Sequence, residues 1–385
     1  MIRMRSLLVA LLAFMAAGHT VLAQSPMRAA WVATVYNLDF PSAPGLSVEQ
    51  QKAQIARIVQ TAHACGLNAL MVQVRPECDA FYQSSLEPWS RFLTGHQGQS
   101  PGYDPLATFI EEGRRNGIAI HAWLNPYRAA TSGGGGRAQS HITHRFPQFT
   151  HVWGSLLVLD PSSTEVQDHI VSVVKEILRK YPVAGIHFDD YFYPYPSEHG
   201  HLVFNDSAFY SAYKSRGGLL SLGEWRRDNV NSLIHKVHDA VHRTRPGAIF
   251  GVSPFGIYTK GQPAEVHAGL DQYNELYADP VRWLHEGWVD YLAPQLYWQD
   301  AGPQSFSALL RWWRSPAVDP RNIPIYPGIS IERLVSSGWS ATEIANQLRI
   351  NRTIGPGSRG GFILWSVKPL LTNAKGIRNV ISSAR

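Results

Sequence analysis

The chain has 385 residues, of which 44% are hydrophobic and only 17% charged. That composition can bury a sizeable core in one large domain or two ordinary ones, and it excludes a disordered chain. The net charge is +6, two of those charges are Arg3 and Arg5, and no basic block follows, so nucleic acid is not an expected partner. The 12 Trp and 16 Tyr fit either a rich core or stacking platforms for flat ligand faces.

Residues 1–23 read as an export signal. Arg3 and Arg5 precede an apolar run from Leu7 to Ala17, shorter than the roughly 20 residues that span a bilayer. Val21-Leu22-Ala23 then supplies the small residues of a cleavage site. Cleavage after Ala23 leaves Gln24 first, with no Cys there to carry a lipid. No membrane anchor is therefore expected, and the mature protein is read as periplasmic or secreted. Export permits disulfides, but Cys65 and Cys78 flank a predicted strand of about 26 Å, too far apart to pair.

The first predicted strand covers residues 27–36. Ser47 then caps a helix over 48–64, closed by Gly66. The second strand is 68–75, followed by a helix over 105–115 closed by Gly117. The third strand is 118–125. A polar, glycine-rich loop over 129–147 follows it, then a helix over 165–180 capped by Thr164. The fourth strand is 184–190, followed by an aromatic loop over 191–205 and a helix from Ser221 to Arg243. The fifth strand is 248–254, with a helix over 280–285. The sixth is 289–297, with a helix over 303–314. The seventh is 323–330, with a helix over 341–350. The eighth is 360–366.

Eight strand-then-helix units predict an α/β chain folded as one TIM-like (β/α)8 barrel with long βα loops over residues 24–385. A doubly wound open sheet would place a glycine-rich phosphate loop after the first strand, and Val35 to Pro41 holds no glycine.

Barrel active sites lie at the C-terminal ends of the strands, and polar residues collect there. Strand one ends at Tyr36, Asn37 and Asp39. Strand two leads to Arg75, Glu77 and Asp79. Strand three ends in Asn125, Tyr127 and Arg128. Strand four ends in Asp189, Asp190, Tyr191 and Tyr193. Strand six brings Gln295, Tyr297 and Trp298. Glu332 and Arg333 follow strand seven, and Trp365 and Lys368 come with strand eight. Carboxylates, amides and aromatic faces together suit a sugar polymer. The adjacent pair Asp189-Asp190 is the sharpest feature: two close carboxylates repel, one pKa rises, and a proton donor results. His187 shares the strand parity of Asp189, as a site residue or a core histidine. His235, His238 and His242 share one helix face, but the sequence places no carboxylate with them, and no metal or other cofactor is expected.

The segments RAAWVATVYNLDFPS, QVRPECDAFYQSSLEPWS, HAWLNPYR, GIHFDDYFYP, VSPFGIY, DYLAPQLYWQ and YPGISIER together resemble glycoside-hydrolase-like family 10, also catalogued as domain of unknown function 187. They run in order from about residue 27 to 370 and cover nearly all of the mature chain. The resemblance implies an exported bacterial barrel acting on a polysaccharide, namely peptidoglycan glycan strands already stripped of stem peptides. It places Arg75, Asp79, Asn125, Tyr127, Arg128, Asp189, Asp190, Tyr193, Gln295 and Tyr297 on family motif positions, and discounts Glu77. Many relatives are lipoproteins, which this signal segment does not match.

Amylase-type barrels pair a strand-four acid with a strand-five Glu, and Gly251 to Gly261 carries no carboxylate. The layout resembles chitinases and hexosaminidases instead, where the substrate's own N-acetyl group is the nucleophile. On that pattern Asp190 is the general acid/base, Asp189 orients the acetamido group and Tyr297 binds its oxygen. A conventional pair with Asp79 or Glu332 is the rival mechanism. Other N-acetylated exopolysaccharides, a glucan, or a non-catalytic glycan-binding barrel gripping through Tyr193, Trp298 and Trp365 are the rival functions.

Overall fold

The computed structural model describes residues 26–131, 136–196, 202–355 and 360–384. The expected cleavage site at Ala23 lies outside them. Eight short strands follow in chain order: β1 (Arg28–Val32), β2 (Ala69–Arg75), β3 (Ala119–Leu124), β4 (Gly185–Phe188), β5 (Ile249–Val252), β6 (Tyr291–Leu292), β7 (Gly328–Ser330) and β8 (Phe362–Trp365). They form one parallel sheet in the order β7-β8-β1-β2-β3-β4-β5-β6. Parallel bridges Leu292–Ile325 and Gln295–Gly328 join its two end strands, so the sheet comes round on itself as the predicted barrel.

Most strands are shorter than their apolar runs. Proline lacks the ladder N–H. Pro254 therefore stops β5, Pro294 cuts β6 to two residues, and Pro324 and Pro327 leave β7 only its last three. β1 ends at Val32 because the chain turns at Tyr36 and Asn37, which adopt left-handed φ values of 57° and 52°. That conformation is uncommon for a tyrosine, and it leaves Tyr36 standing 52% exposed at the rim.

The crossover helices are set by their caps. Ser47 and Gln50 form a capping box on α1 (Val48–Ala64). Asp104 caps α2 (Pro105–Asn116), whose first position is proline and whose end is Gly117 in the left-handed region. Ser163, rather than Thr164, caps α3 (Thr164–Lys180) by accepting from Val166. Ser221 and Glu224 form a second capping box on α4 (Leu222–Thr244). Next come α5 (Pro280–Glu286) and α6 (Phe306–Trp313), the latter capped at Ser305 and so starting three residues later than expected. α7 (Ala341–Thr353), α8 (Val367–Thr372) and α9 (Ile377–Ser383) complete the ring. Among the described residues no helix is long and apolar enough to cross a membrane.

The excursion after β3 is more ordered than its polar sequence suggests. Arg128–Ala130, Thr150–Trp153 and Leu156–Leu159 make a small antiparallel sheet. Two apolar regions hold the fold. One lies between strands and helices, and the other fills the barrel with Trp31, Met71, Trp123, Tyr291 and Ile363. That interior depends on glycine: a Cβ on Gly251 would lie 2.1 Å from the Tyr291 ring. Cys65 and Cys78 are both buried thiols.

Candidate active site

Strand period two decides what faces the barrel axis. Trp31, Gln73, Trp123, Asp189, Ser253, Gln295 and Trp365 come from the C-terminal ends of their strands or just beyond, and a cavity of ≈ 310 Å³ opens above them. Its lining includes eight residues expected from sequence: Tyr36, Arg128, Asp189, Asp190, Tyr191, Gln295, Tyr297 and Trp365. It also includes Trp31, Gln73, Trp123, Tyr195 and Ser253, which the sequence did not single out. Trp123 lies two residues before Asn125, so parity was the available signal there, whereas an irregularity in β2 between Gln73 and Arg75 breaks that relation for Gln73. Ser253 lies on a strand with no acid to mark it. Tyr195 lies in the aromatic loop, two residues past Tyr193.

Asp189 is pinned on both oxygens. Trp123 Nε1 donates to Oδ2 at 3.1 Å, and Asn125 Nδ2 donates at 3.0 and 3.1 Å to the two oxygens. The Tyr191 N–H reaches Oδ1 at 3.3 Å. Burial raises its pKa, against the pull of Arg128 and these donors. Asp190 is raised to about 7, first by burial and then by the neighbouring charge of Asp189. Tyr195 donates its hydroxyl to Asp190 Oδ2. A second phenol, Tyr297, senses the same carboxyl: its pKa is driven well up by burial and by the charge of Asp190. Among the described residues no other carboxylate lines the cavity.

Below the acids lies His187. Its Nε2 accepts from Trp31 Nε1 at 3.0 Å, and its Nδ1 lies 2.9 Å from Tyr291 Oη. Accepting at Nε2 puts the proton on Nδ1, donating to the tyrosine. Burial holds its pKa far below the usual value, with His121 adding to the effect, so this imidazole is neutral. It is a structural floor that also holds Ser253 Oγ, 3.0 Å from Nε2.

The other expected contact residues stand outside the lining. Arg75 is fully buried, doubly bonded to Glu87, and donates to the carbonyls of Asn125 and Pro126 at 2.7 and 2.9 Å. Asn125 accepts from the Arg128 N–H at 2.8 Å and offers its amide to Asp189. Asp79 accepts from the Glu77 N–H and from Gln97. Tyr127 and Tyr193 are buried, the latter ringed by Phe204 and Tyr277. Trp298 packs edge-on against Phe255. Glu332 and Asp79, the rival catalytic partners, are both absent from the lining.

A carboxyl with a pKa near 7 can donate a proton at neutral pH. Turnover is accordingly expected to fall as pH rises through about 7, when Asp190 loses that proton. A pH–rate profile of kcat checks this, and a rate still climbing above about pH 8 would contradict the assignment.

A parallel barrel with paired acids above a packed floor is the architecture of a glycoside hydrolase-type barrel. Residues 26–343 match the family described as glycosyl hydrolase-like 10, and the chain belongs to that family. It is 35% identical over 368 residues to glycosyl hydrolase YngK of Bacillus subtilis, covering 93% of this chain and 71% of that protein. It is 33% identical over 362 residues to glycosyl hydrolase DigH of Escherichia coli K12, covering 86% of this chain and 80% of that one. Among solved structures, the PgaB (BpsB) glycoside hydrolase domain of Bordetella bronchiseptica superposes with a TM-score of 0.55 at 14% identity, covering 93% of this chain and 99% of that domain. An α-L-fucosidase of Paenibacillus thiaminolyticus gives 0.57 at 12% identity over 93% of this chain, which spans only 48% of that longer protein. At such identities the two structures speak to fold alone.

Proposed function

We propose that the protein is an exported glycosidase that hydrolyses O-glycosyl bonds in N-acetylated glycan strands, its substrate being peptidoglycan freed of stem peptides. The observation that carries this reading is the acid pair. Among the described residues, Asp189 and Asp190 are the only carboxylates on an aromatic-walled cavity, and of the two Asp190 holds its proton to about pH 7.

With no second acid across the described cavity wall, the displacement draws on the substrate. Asp190 protonates the glycosidic oxygen as the bond to the anomeric carbon breaks. The acetamido carbonyl oxygen closes on that carbon, forming a cyclic intermediate. Asp189, held still by Trp123 and Asn125, accepts the acetamido N–H as positive charge builds there. Tyr297 donates to the acetamido oxygen and orients it. Water then opens the ring, with Asp190 taking its proton. Trp31, Trp123 and Trp365 pack edge to face around the floor, with centroids 6.1 Å apart for both pairs involving Trp365, and present apolar faces to a pyranose. Arg128 adds a reason to favour an acidic sugar. Its Nε is spent on the Pro76 carbonyl and its guanidinium lies over Tyr191, while Nη2 has no hydrogen-bond partner among the described residues. The lactyl carboxylate of muramic acid supplies one.

The test is to incubate the mature protein with amidase-treated peptidoglycan, intact sacculi and a linear glucan, and to weigh the soluble products. Hydrated N-acetyl oligosaccharides from the denuded strands alone are expected. Anhydro-sugars would indicate lytic cleavage instead, and glycan capture without release would indicate a binding barrel.

A further inference from the structure

The histidine face of α4 is not used by the site above. Sequence alone gives it no acidic partner, but the fold does. Asp290, which precedes β6, meets the last turns of α4, so that His238, His242 and Asp290 each offer a ligand atom within 4.8 Å of the others. His242 Nε2 lies 3.1 Å from Asp290 Oδ2, and the rings of His238 and His242 are 4.5 Å apart. Asp290 is itself fixed to the sheet, since its Oδ2 accepts the Phe250 N–H at 2.6 Å. His238 Nδ1 and His242 Nε2 are both shielded from water, yet neither makes a hydrogen bond of good geometry. The near approach of His238 Nδ1 to Asp239 is 3.5 Å.

From these contacts we propose that His238, His242 and Asp290 bind a divalent late transition metal, with zinc as the fitting representative. An ion pair of His242 with Asp290 would serve one imidazole and leave the other beside it unserved. A divalent cation takes a lone pair from each. Two imidazoles one helical turn apart and one carboxylate are ligands suited to zinc, copper or nickel rather than magnesium or calcium. Tetrahedral zinc with bonds of about 2.0–2.1 Å sets ligand atoms roughly 3.4 Å apart, so small rotations close the present cluster onto a metal. The described residues supply three ligands, so a fourth from water would complete a tetrahedral shell.

The location decides the role. Asp290 enters β6 at its N-terminal end and Phe250 lies near the start of β5, at the barrel end opposite Asp190. A metal there joins the end of α4 to two strands. It stabilises the fold and leaves the cleavage chemistry untouched.

The experiment uses the untagged mature protein, stripped with EDTA, exchanged into non-chelating buffer and supplied with zinc chloride. Equilibrium dialysis with metal analysis should find one zinc per chain at micromolar zinc. The melting temperature should rise by about 2 °C or more, because a ligand that binds only the folded state stabilises it. Asp290→Asn keeps an oxygen for Phe250 and should lose both effects, as should His242→Asn. His235→Asn, on the same helix, should retain both. Each variant is melted in EDTA beside the wild type, so that a folding defect is separated from lost binding. Failure of the wild type to bind zinc, or equal binding by Asp290→Asn and His242→Asn, would overturn the proposal. Glycan release should be the same with and without zinc, and a loss of release on stripping would refute the assigned role.

Discussion

Asp190→Asn should cut kcat by about a thousandfold while leaving the protein folded and glycan binding nearly intact. The amide has the shape of the acid but no proton to give, and general acid–base assistance is worth about 10²–10⁴-fold. The same substitution should flatten the pH dependence of stability. Asp190 is held at about 7 when folded, above the ordinary carboxylate range. Its contribution to stability is therefore complete below about pH 4 and is lost as pH rises through about 7. Asp39 and Asp79 are raised as well, to about 6 and about 7, each by burial before any other cause, and favour about pH 5 over about pH 8 in the same way, whereas the buried His121 and His187, lowered by burial, favour the higher pH, so the difference between wild type and variant isolates the part due to Asp190. An amide at position 190 removes one part of that slope. Calorimetry at the two pH values, beside a glycan-release assay, measures both effects. Near-normal turnover by Asp190→Asn would remove the acid from its role.

Arg75→Met should destabilise the protein by about 3–5 kcal/mol, the cost of leaving a buried charge unpaired. Arg75 and Glu87 are essentially inaccessible, and Nη2 meets Oε1 at 2.6 Å. His169 reaches the same carboxylate at 3.1 Å. Burial alone would push Glu87 up, but the charges of Arg75 and His169 bring it down to about 2. This stabilisation is present above the ordinary glutamate pKa and fades as pH falls through about 2. The double substitution Arg75→Met with Glu87→Leu should recover much of the loss, since the stranded charge is gone. Denaturant melts of the two variants check the sign and the size. Were Arg75 a direct substrate contact, the single variant would instead keep its stability and raise KM.

These two residues also mark how far the sequence could be read. Asp190 was legible because adjacent acids at a strand end carry their meaning locally. Arg75 was not, because it shares that end of β2 but turns to a partner, Glu87, twelve positions along a loop that no periodicity describes. The strand count and most helix starts were readable from apolar runs, prolines and capping serines. Trp123 was readable in principle, since it lies two residues before Asn125, whereas Gln73 is separated from Arg75 by an irregularity in β2 and Ser253 had no such neighbour. The acid facing His238 and His242 was beyond reach. Only the packing of α4 beside β5 and β6 brings Asp290 to them, across 48 residues of chain from His242.

The plug made by Trp31, His187 and Tyr291 turns the barrel into a blind alley. A polymer cannot be threaded through it, and each sugar that reaches Asp190 must enter and leave by one door. A linkage therefore reaches Asp190 only near a chain end or at a bend in a longer strand. Choice among substrates then belongs to the doorway, where Tyr36 and Tyr191 stand, and exchange of those loops is the route by which one engine could be fitted to another substrate.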